Sequence, residues 1–440
     1  MSRLEQIKWN RYSAGIGVEY RQCLSEGRSV EAYGELARQV DLMPQGPEKR
    51  ALSEALGQAL TSAPIRPGFP FQEPSDYAGI LKLRPAGRAT LNLEGHAPSD
   101  PRDRVAGAWY GRIAGCLLGK PVECYKKAEI ESVCRHTGNF PLRGYLRRDP
   151  QDEKGEGRCW IDGISGFAPA DDDTNYTVLG LKIVQTFGRN FTPDDVAYAW
   201  LGHLPFLAVC TAEQVAYQNL ANGLTPPESA AYHNPYREYI GAQIRADYFG
   251  YINPGAPRDA AEMAFRDASI SHVKNGIYGA MLVAAMLAAA AVCQDVKTVV
   301  LAGLGEIPEN SRMSRAISAA LADYEAGVPA KAAFERLHAQ WDEHNPLDWC
   351  HSVSNALVVV LALLYGAMDF GKSLCLAVET GFDTDCNGAT VGSILGMMLG
   401  HSRLPTEWLA PFGGVLETGI AGYNRVKIDD MVNITLKHMA

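Results

Sequence analysis

GFDTDCNGATVGSILG, Gly381 to Gly396, carries two aspartates one residue apart and then three glycines, Gly388, Gly392 and Gly396, at every fourth position. Fourfold spacing puts the glycines on one face of a helix and lets a second helix approach closely. The run SLCLAVETGF before it and GATVGSILGMMLG after it are apolar, so the spacing predicts a buried helix over Gly388 to Leu399 with Asp383-Thr384-Asp385-Cys386-Asn387 at its start. Ionised carboxylates are costly in such surroundings unless something neutralises them.

The same pattern extends outward. Apolar residues recur at helical intervals over Thr174 to Phe187, Pro193 to Leu201, Ala212 to Ala221, Ala256 to Ala268, Gly276 to Ala291, Val296 to Leu304, Ser311 to Ala326, Ala330 to Trp341, Ser352 to Tyr365 and Phe370 to Glu379. Strand-like alternation is almost absent, and the expected fold class is all-α, an orthogonal multi-helix bundle. Residues 135 to 170, rich in Gly, Pro, Arg and Asp, show no sustained period and read as a long surface loop.

The main domain is expected over residues 101 to 440, opening with DRVAGAWYGRIAGCLLGKPVE after the loop GHAPSDPRD. Residues 1 to 100 read as a helical appendage with a proline-rich tether, APIRPGFPFQEPSDY, packed on the core near the site or on a subunit boundary because Trp9, Tyr12, Tyr20, Leu36 and Leu42 need cover. The apolar stretch Ile277 to Cys293 falls short of the roughly 20 residues that span a bilayer, so it reads as a buried helix.

With 440 residues, 47% hydrophobic and 21% charged, the chain has the balance of a globular protein. Lys and Arg number 41 against 50 Asp and Glu, so no excess positive field draws nucleic acid. Ten cysteines occur without a C-x-x-C pair, which signals neither a zinc knuckle nor a dithiol centre. With a start, MSRLEQIKWNRYSAG, that lacks a secretory apolar stretch, this points to the cytoplasm, away from membranes; an oligomer is compatible with it.

A second acidic cluster, Asp171-Asp172-Asp173-Thr174, opens another helix. One Asp at a helix N-terminus caps free N–H groups for typically about 0.3–1 kcal/mol. Three in a row repel unless a cation or strong hydrogen bonds intervene. Capping alone and a divalent metal site both account for the residue types; two clusters in an apolar background favour the metal. Oxygen ligands without histidine favour magnesium, manganese or calcium. A calcium EF-hand loop matches at Asp383, Asp385, Asn387 and Gly388 but fails at its twelfth position, Ile394. A D-x-D phosphotransferase nucleophile would need a preceding strand, and nothing there alternates.

The segments Asp103 to Glu123, Asp171 to Asn175 and Gly381 to Gly396 together resemble the three signatures of the ADP-ribosylglycohydrolase family, over about 103 to 425. The resemblance implies an all-α bundle holding two magnesium or manganese ions and cleaving a bond at C1 of a ribose. It implies Asp172, Asp173, Asp383 and Asp385 as metal ligands, with Asp171 and Cys386, where relatives often carry Thr, as further contributors. The catalytic group would be Glu123, as acid, base or water-orienting residue, with the metal-bound Asp172 and Asp385; a solvated helix-end carboxylate is the plainer account of Glu123. Gly241, Arg245 and His272 match a diphosphate-binding loop and a following histidine, but Tyr239, Ile240, Ala242 and Gln243 replace its small residues, and a lone His272 reads equally as a core residue. The implied substrate is an ADP-ribosylated protein or ADP-ribosyl compound. A smaller N- or C-ribosyl nucleoside on the same metals is the alternative, and a non-catalytic ADP-ribose-binding protein is a third.

Overall fold

The computed structural model describes residues 3–86 and 100–439; of the loop expected at 95–103, residues 95–99 lie outside them. The described chain is all-α apart from a two-stranded antiparallel ribbon, Val415–Glu417 with Arg425–Lys427. The expected helices are present to within a few residues. One boundary matters: the last signature helix runs Thr384–Leu399, four residues earlier than Gly388, which brings Asp385 into its first turn. Helices Lys127–His136 and Ile428–His438, whose buried Ile130, Val133 and Cys134 and Ile428, Met431 and Val432 fall at helical spacing, and the short turns Gly241–Arg245 and Asp247–Tyr251 are not among the expected helices.

Two helices form the spine. Pro101–Gly119 and Thr384–Leu399 lie antiparallel, Gly107 against Gly396, Gly111 against Gly392, Gly115 against Gly388 and Gly119 against Thr384. A Cβ at any of these glycines would fall closer than 3.0 Å to backbone of the facing helix, a separation real side chains essentially never show. The pairing sets the C-terminal end of the first helix beside the N-terminal end of the second. Around them, Asn275–Ala290 is buried along its whole length, as expected of a core helix. The stretch 137–171 is irregular as expected, but Leu142, Leu146, Trp160 and Ala168 anchor it to the core.

The appendage has its own small core of Ile16, Cys23, Val30, Ala37, Val40, Leu56, Leu60 and Ala63. Trp9 packs edge-on against Tyr236 and Tyr12 stacks on His233. Leu36 and Leu42, expected to be covered, are exposed, because only the opposite face of the helix Gly34–Leu42, with Ala37 and Val40, turns inward. The proline-rich tether lies against the main body: Tyr278 donates to Pro74 O and Arg312 pairs with Glu73 at 2.7 Å.

Docking rests on buried charge. Arg237 donates to Glu19 at 2.7 Å and to Glu26 at 2.8 Å, Lys274 donates to Glu26 at 2.8 Å, and Arg312 also reaches Glu238. Burial pushes the Glu26 carboxyl up, but Arg237 and Lys274 outweigh it and hold it down at about 2. Glu26→Gln is therefore expected to destabilise the protein by about 3–5 kcal/mol at neutral pH, since the buried Arg237 keeps only Glu19 and the part-buried Lys274 loses its carboxylate. The ordinary value is 4.5, so the contribution of Glu26 is complete above that pH and fades as pH falls toward about 2. Melting of both forms across this window checks the sign: the curves converge at the acid end.

Candidate metal centre

Three helix ends bring the acidic residues together. Asp171 is the N-cap of Asp172–Phe187, its Oδ1 accepting from the Asp173 N–H at 3.0 Å, so here capping is real. Asp383 precedes Thr384–Leu399 but makes no side-chain cap bond; its Oδ2 instead faces the Cys350 thiol at 3.6 Å. The third end is that of Pro101–Gly119, where the turn Lys120–Val122 leads into Glu123. Arg158 holds that turn by donating to the carbonyls of Glu123 at 2.8 Å and Pro121 at 3.3 Å. Cys124 follows in the left-handed region, φ 67°.

Ligand atoms of Asp173, Asp385 and Cys386 lie within 4.8 Å of one another, and those of Cys116, Asp171 and Asp173 form a second such group. The Asp173 carboxyl is buried with one oxygen, Oδ1, accepting from Arg112 at 3.0 Å and the other, Oδ2, without a partner. Asp385 Oδ1 is likewise buried and unpartnered. Lys120 donates to Asp171 Oδ2. Two helix starts thus bring together two carboxylates that each keep an unpartnered oxygen, and the donor set fits a divalent cation.

The electrostatics agree. Burial and the neighbouring carboxylates Asp171 and Asp173 push Asp172 well up. Burial raises Asp173 despite Arg112, and burial with Asp385 raises Asp383. Burial and Asp171 move Asp385 up to about 6. Glu123 is pushed up to about 8, first by the Asp385 charge and then by burial. Mutual repulsion of this size is what a bound cation relieves.

The remaining expected residues form a different cluster. Gly241, Arg245 and His272 meet around Glu213, which the sequence did not single out. Arg245 is 1% exposed and donates to Glu213 at 2.6 Å, Asp267 at 2.8 Å and Ser271 at 2.9 Å, with Trp200 beneath its guanidinium. A Cβ on Gly241 would strike the Glu213 carboxyl. His272 Nδ1 bonds Ser271 Oγ at 2.8 Å, and its Nε2 stands 3.9 Å from Glu213. All three lie in the core, and Arg245 has its donors committed to protein groups.

Arg112, Lys120, Cys116, Asn355 and Arg158 were also missed. Arg112, Cys116 and Lys120 are spaced i, i+4, i+8 on the spine helix, one residue after each of Gly111, Gly115 and Gly119, and that regular polar stripe was a readable signal. Asn355 had none: its Oδ1 accepts from Asn387 at 2.8 Å and from the Asp383 N–H at 3.2 Å, a tertiary arrangement that fixes the second helix start.

Fold and site define an all-helical protein with a carboxylate centre between helix ends. The chain belongs to the ADP-ribosylglycohydrolase family, whose sequence model matches residues 97–434, and this places it among hydrolases of glycosidic bonds. A solved chain from an ADP-ribosylglycohydrolase-related protein complex has the same fold, with TM-score 0.50 and 19% identity, covering 77% of this chain and 98% of that one. No curated protein matches the sequence. Among the described residues no helix is long and apolar enough to cross a membrane.

Proposed function

We propose that the protein is a divalent-cation-dependent hydrolase that breaks the bond between C1 of a ribose and an attached nitrogen or oxygen, with an ADP-ribosyl compound or ADP-ribosylated protein as substrate. The observation that carries this reading is the pair of buried carboxylates Asp173 and Asp385, brought within 4.8 Å of each other, each with an unpartnered oxygen, Oδ2 and Oδ1, and with the Asp385 charge acting on Glu123. Asp172, Asp173, Asp383 and Asp385 would hold magnesium or manganese, with Cys386 as a weaker contributor. When bound, the cation lowers the pKa of a water and orients ribose hydroxyls.

The protein's own groups do the rest. Glu123, whose backbone carbonyl Arg158 holds, takes the proton from the attacking water or delivers one to the leaving nitrogen or oxygen. Water's oxygen ends on C1, the glycosidic bond breaks, and the proton ends on the leaving group. Against the cost of burial, Lys120 holds the Asp171 carboxyl below its ordinary value, and Arg112 orients Asp173.

A specific observation favours a smaller ribosyl nucleoside as a second reading. Arg245 and Arg237, the guanidiniums nearest the expected diphosphate loop in sequence, are both buried and engaged with carboxylates, which leaves them no donors for a diphosphate. Incubation with Mg²⁺ or Mn²⁺ and a panel from ADP-ribosyl-arginine and ADP-ribosyl-serine to simple nucleosides, with mass spectrometry of the released sugar, tests both. Free ADP-ribose supports the first and free ribose the second. Release of neither, with the metal bound, removes the hydrolase reading.

A further inference from the structure

We infer that Lys120 is a built-in monovalent cation at the first helix end, so that the centre takes one divalent ion where the family resemblance implies two; the inference rests on the metal reading proposed above. Both oxygens of Asp171 are already occupied, Oδ1 by the Asp173 N–H at 3.0 Å and Oδ2 by the Lys120 ammonium. The Asp171 side chain is only 2% exposed, and Lys120 reaches it from the last turn of the spine, its own side chain 24% exposed. A carboxylate whose charge is already matched by an ammonium and whose two oxygens each hold a donor has little left to offer a hard dication.

The third group of that corner, Cys116, is a thiol, a poor ligand for magnesium or manganese. The oxygen of Asp173 that bonds Arg112 is likewise paired with a cation. What remains free lies on one side: Asp173 Oδ2, 0% exposed as a residue, and Asp385 Oδ1, 3% exposed, both unpartnered and within reach of Cys386. Asp172 and Asp383 belong to the same two helix starts, and neither is bonded to a cationic side chain among the described contacts. The charge is thus divided unequally. Lys120 and Arg112 are bonded to the first helix start, whereas among the described residues no cationic side chain is bonded to Asp383 or Asp385, which Lys120 reaches only through its field. A compact ammonium on its flexible stem is a point charge of the kind that can stand in for a metal ion in charge, though not as a Lewis acid.

The full chain, stripped with a chelator and titrated with Mn²⁺ by calorimetry and electron paramagnetic resonance, tests this without any substrate. One Mn²⁺ per chain, with the hyperfine pattern of an isolated ion, is the expected result. Two ions per chain, with the spin-coupled pattern of a pair set roughly 3.5–4 Å apart, overturn the inference and leave the hydrolase reading standing. No bound Mn²⁺ overturns both. One bound ion with no hydrolysis of any ribosyl compound removes the hydrolase reading and leaves the stoichiometry intact.

Lys120→Gln, purified in Mn²⁺ so that Asp171 is never left unpaired, should bind a second ion, whereas Lys120→Arg should keep one. A folded Lys120→Gln protein that still holds one ion sinks the assignment. The count on the unmodified chain decides the matter if that variant does not fold.

Discussion

Glu123→Gln is expected to lower turnover roughly 10²–10⁴-fold while Mn²⁺ still titrates with its original affinity. The amide keeps the size of the carboxyl and can still accept a hydrogen bond, but it cannot carry a proton between water and leaving group. Asp385 and burial together push Glu123 up to about 8, near the range where a carboxyl can both hold and release a proton. Arg158 fixes its carbonyl and not its carboxyl, so the side chain stays free to meet a ligand. Asp385→Asn makes the contrast. It replaces the carboxylate whose Oδ1 lacks any protein partner, and it is expected to lose metal and activity together. A Glu123→Gln enzyme with an unchanged rate takes this residue out of the mechanism, and one that loses metal as well makes it a ligand.

The reading of residues 381–396 carried far because its two features, a fourfold glycine stripe and paired aspartates at a helix start, are local. Period and caps are set by neighbours in sequence, and the helices follow to within a few residues. What the chain did not disclose is tertiary. Whether an Asp caps its helix or faces a cavity depends on its partners: Asp171 caps, and Asp383, with the same position relative to its helix, does not. Arg245 stood out because it matches a position of the diphosphate loop, and only the fold reveals Glu213 and Asp267 on either side of it. Lys120 stood inside a quoted signature, yet its meaning came from Asp171, 51 residues away.

Gly115→Ala should be among the most damaging single-methyl additions in this protein, costing about 3 kcal/mol or more, at or above the upper end for overpacked sites. The added Cβ would meet the carbonyl and Cα-bound carbon of Gly388 and the Ala389 nitrogen, all closer than 3.0 Å and all backbone, so no rotamer change can clear it. The spine helices must part, and every turn of the stripe loses contact, because Gly107, Gly111 and Gly119 are seated in the same way. The parting also reaches the site: Gly119 rests on Thr384 and Asp385 backbone, so Asp385 moves away from Asp173 and Mn²⁺ affinity falls with stability. The same substitution at Gly202 should have the opposite sign. That glycine lies in the exposed last turn of the helix Pro193–His203, and a Cβ there meets nothing within 4 Å. Alanine gains there what glycine gives up in backbone entropy, a few tenths to about 1 kcal/mol. Denaturant unfolding of the two variants checks the pair, and a Gly115→Ala protein as stable as the unmodified chain would show that the spine does not need its close approach.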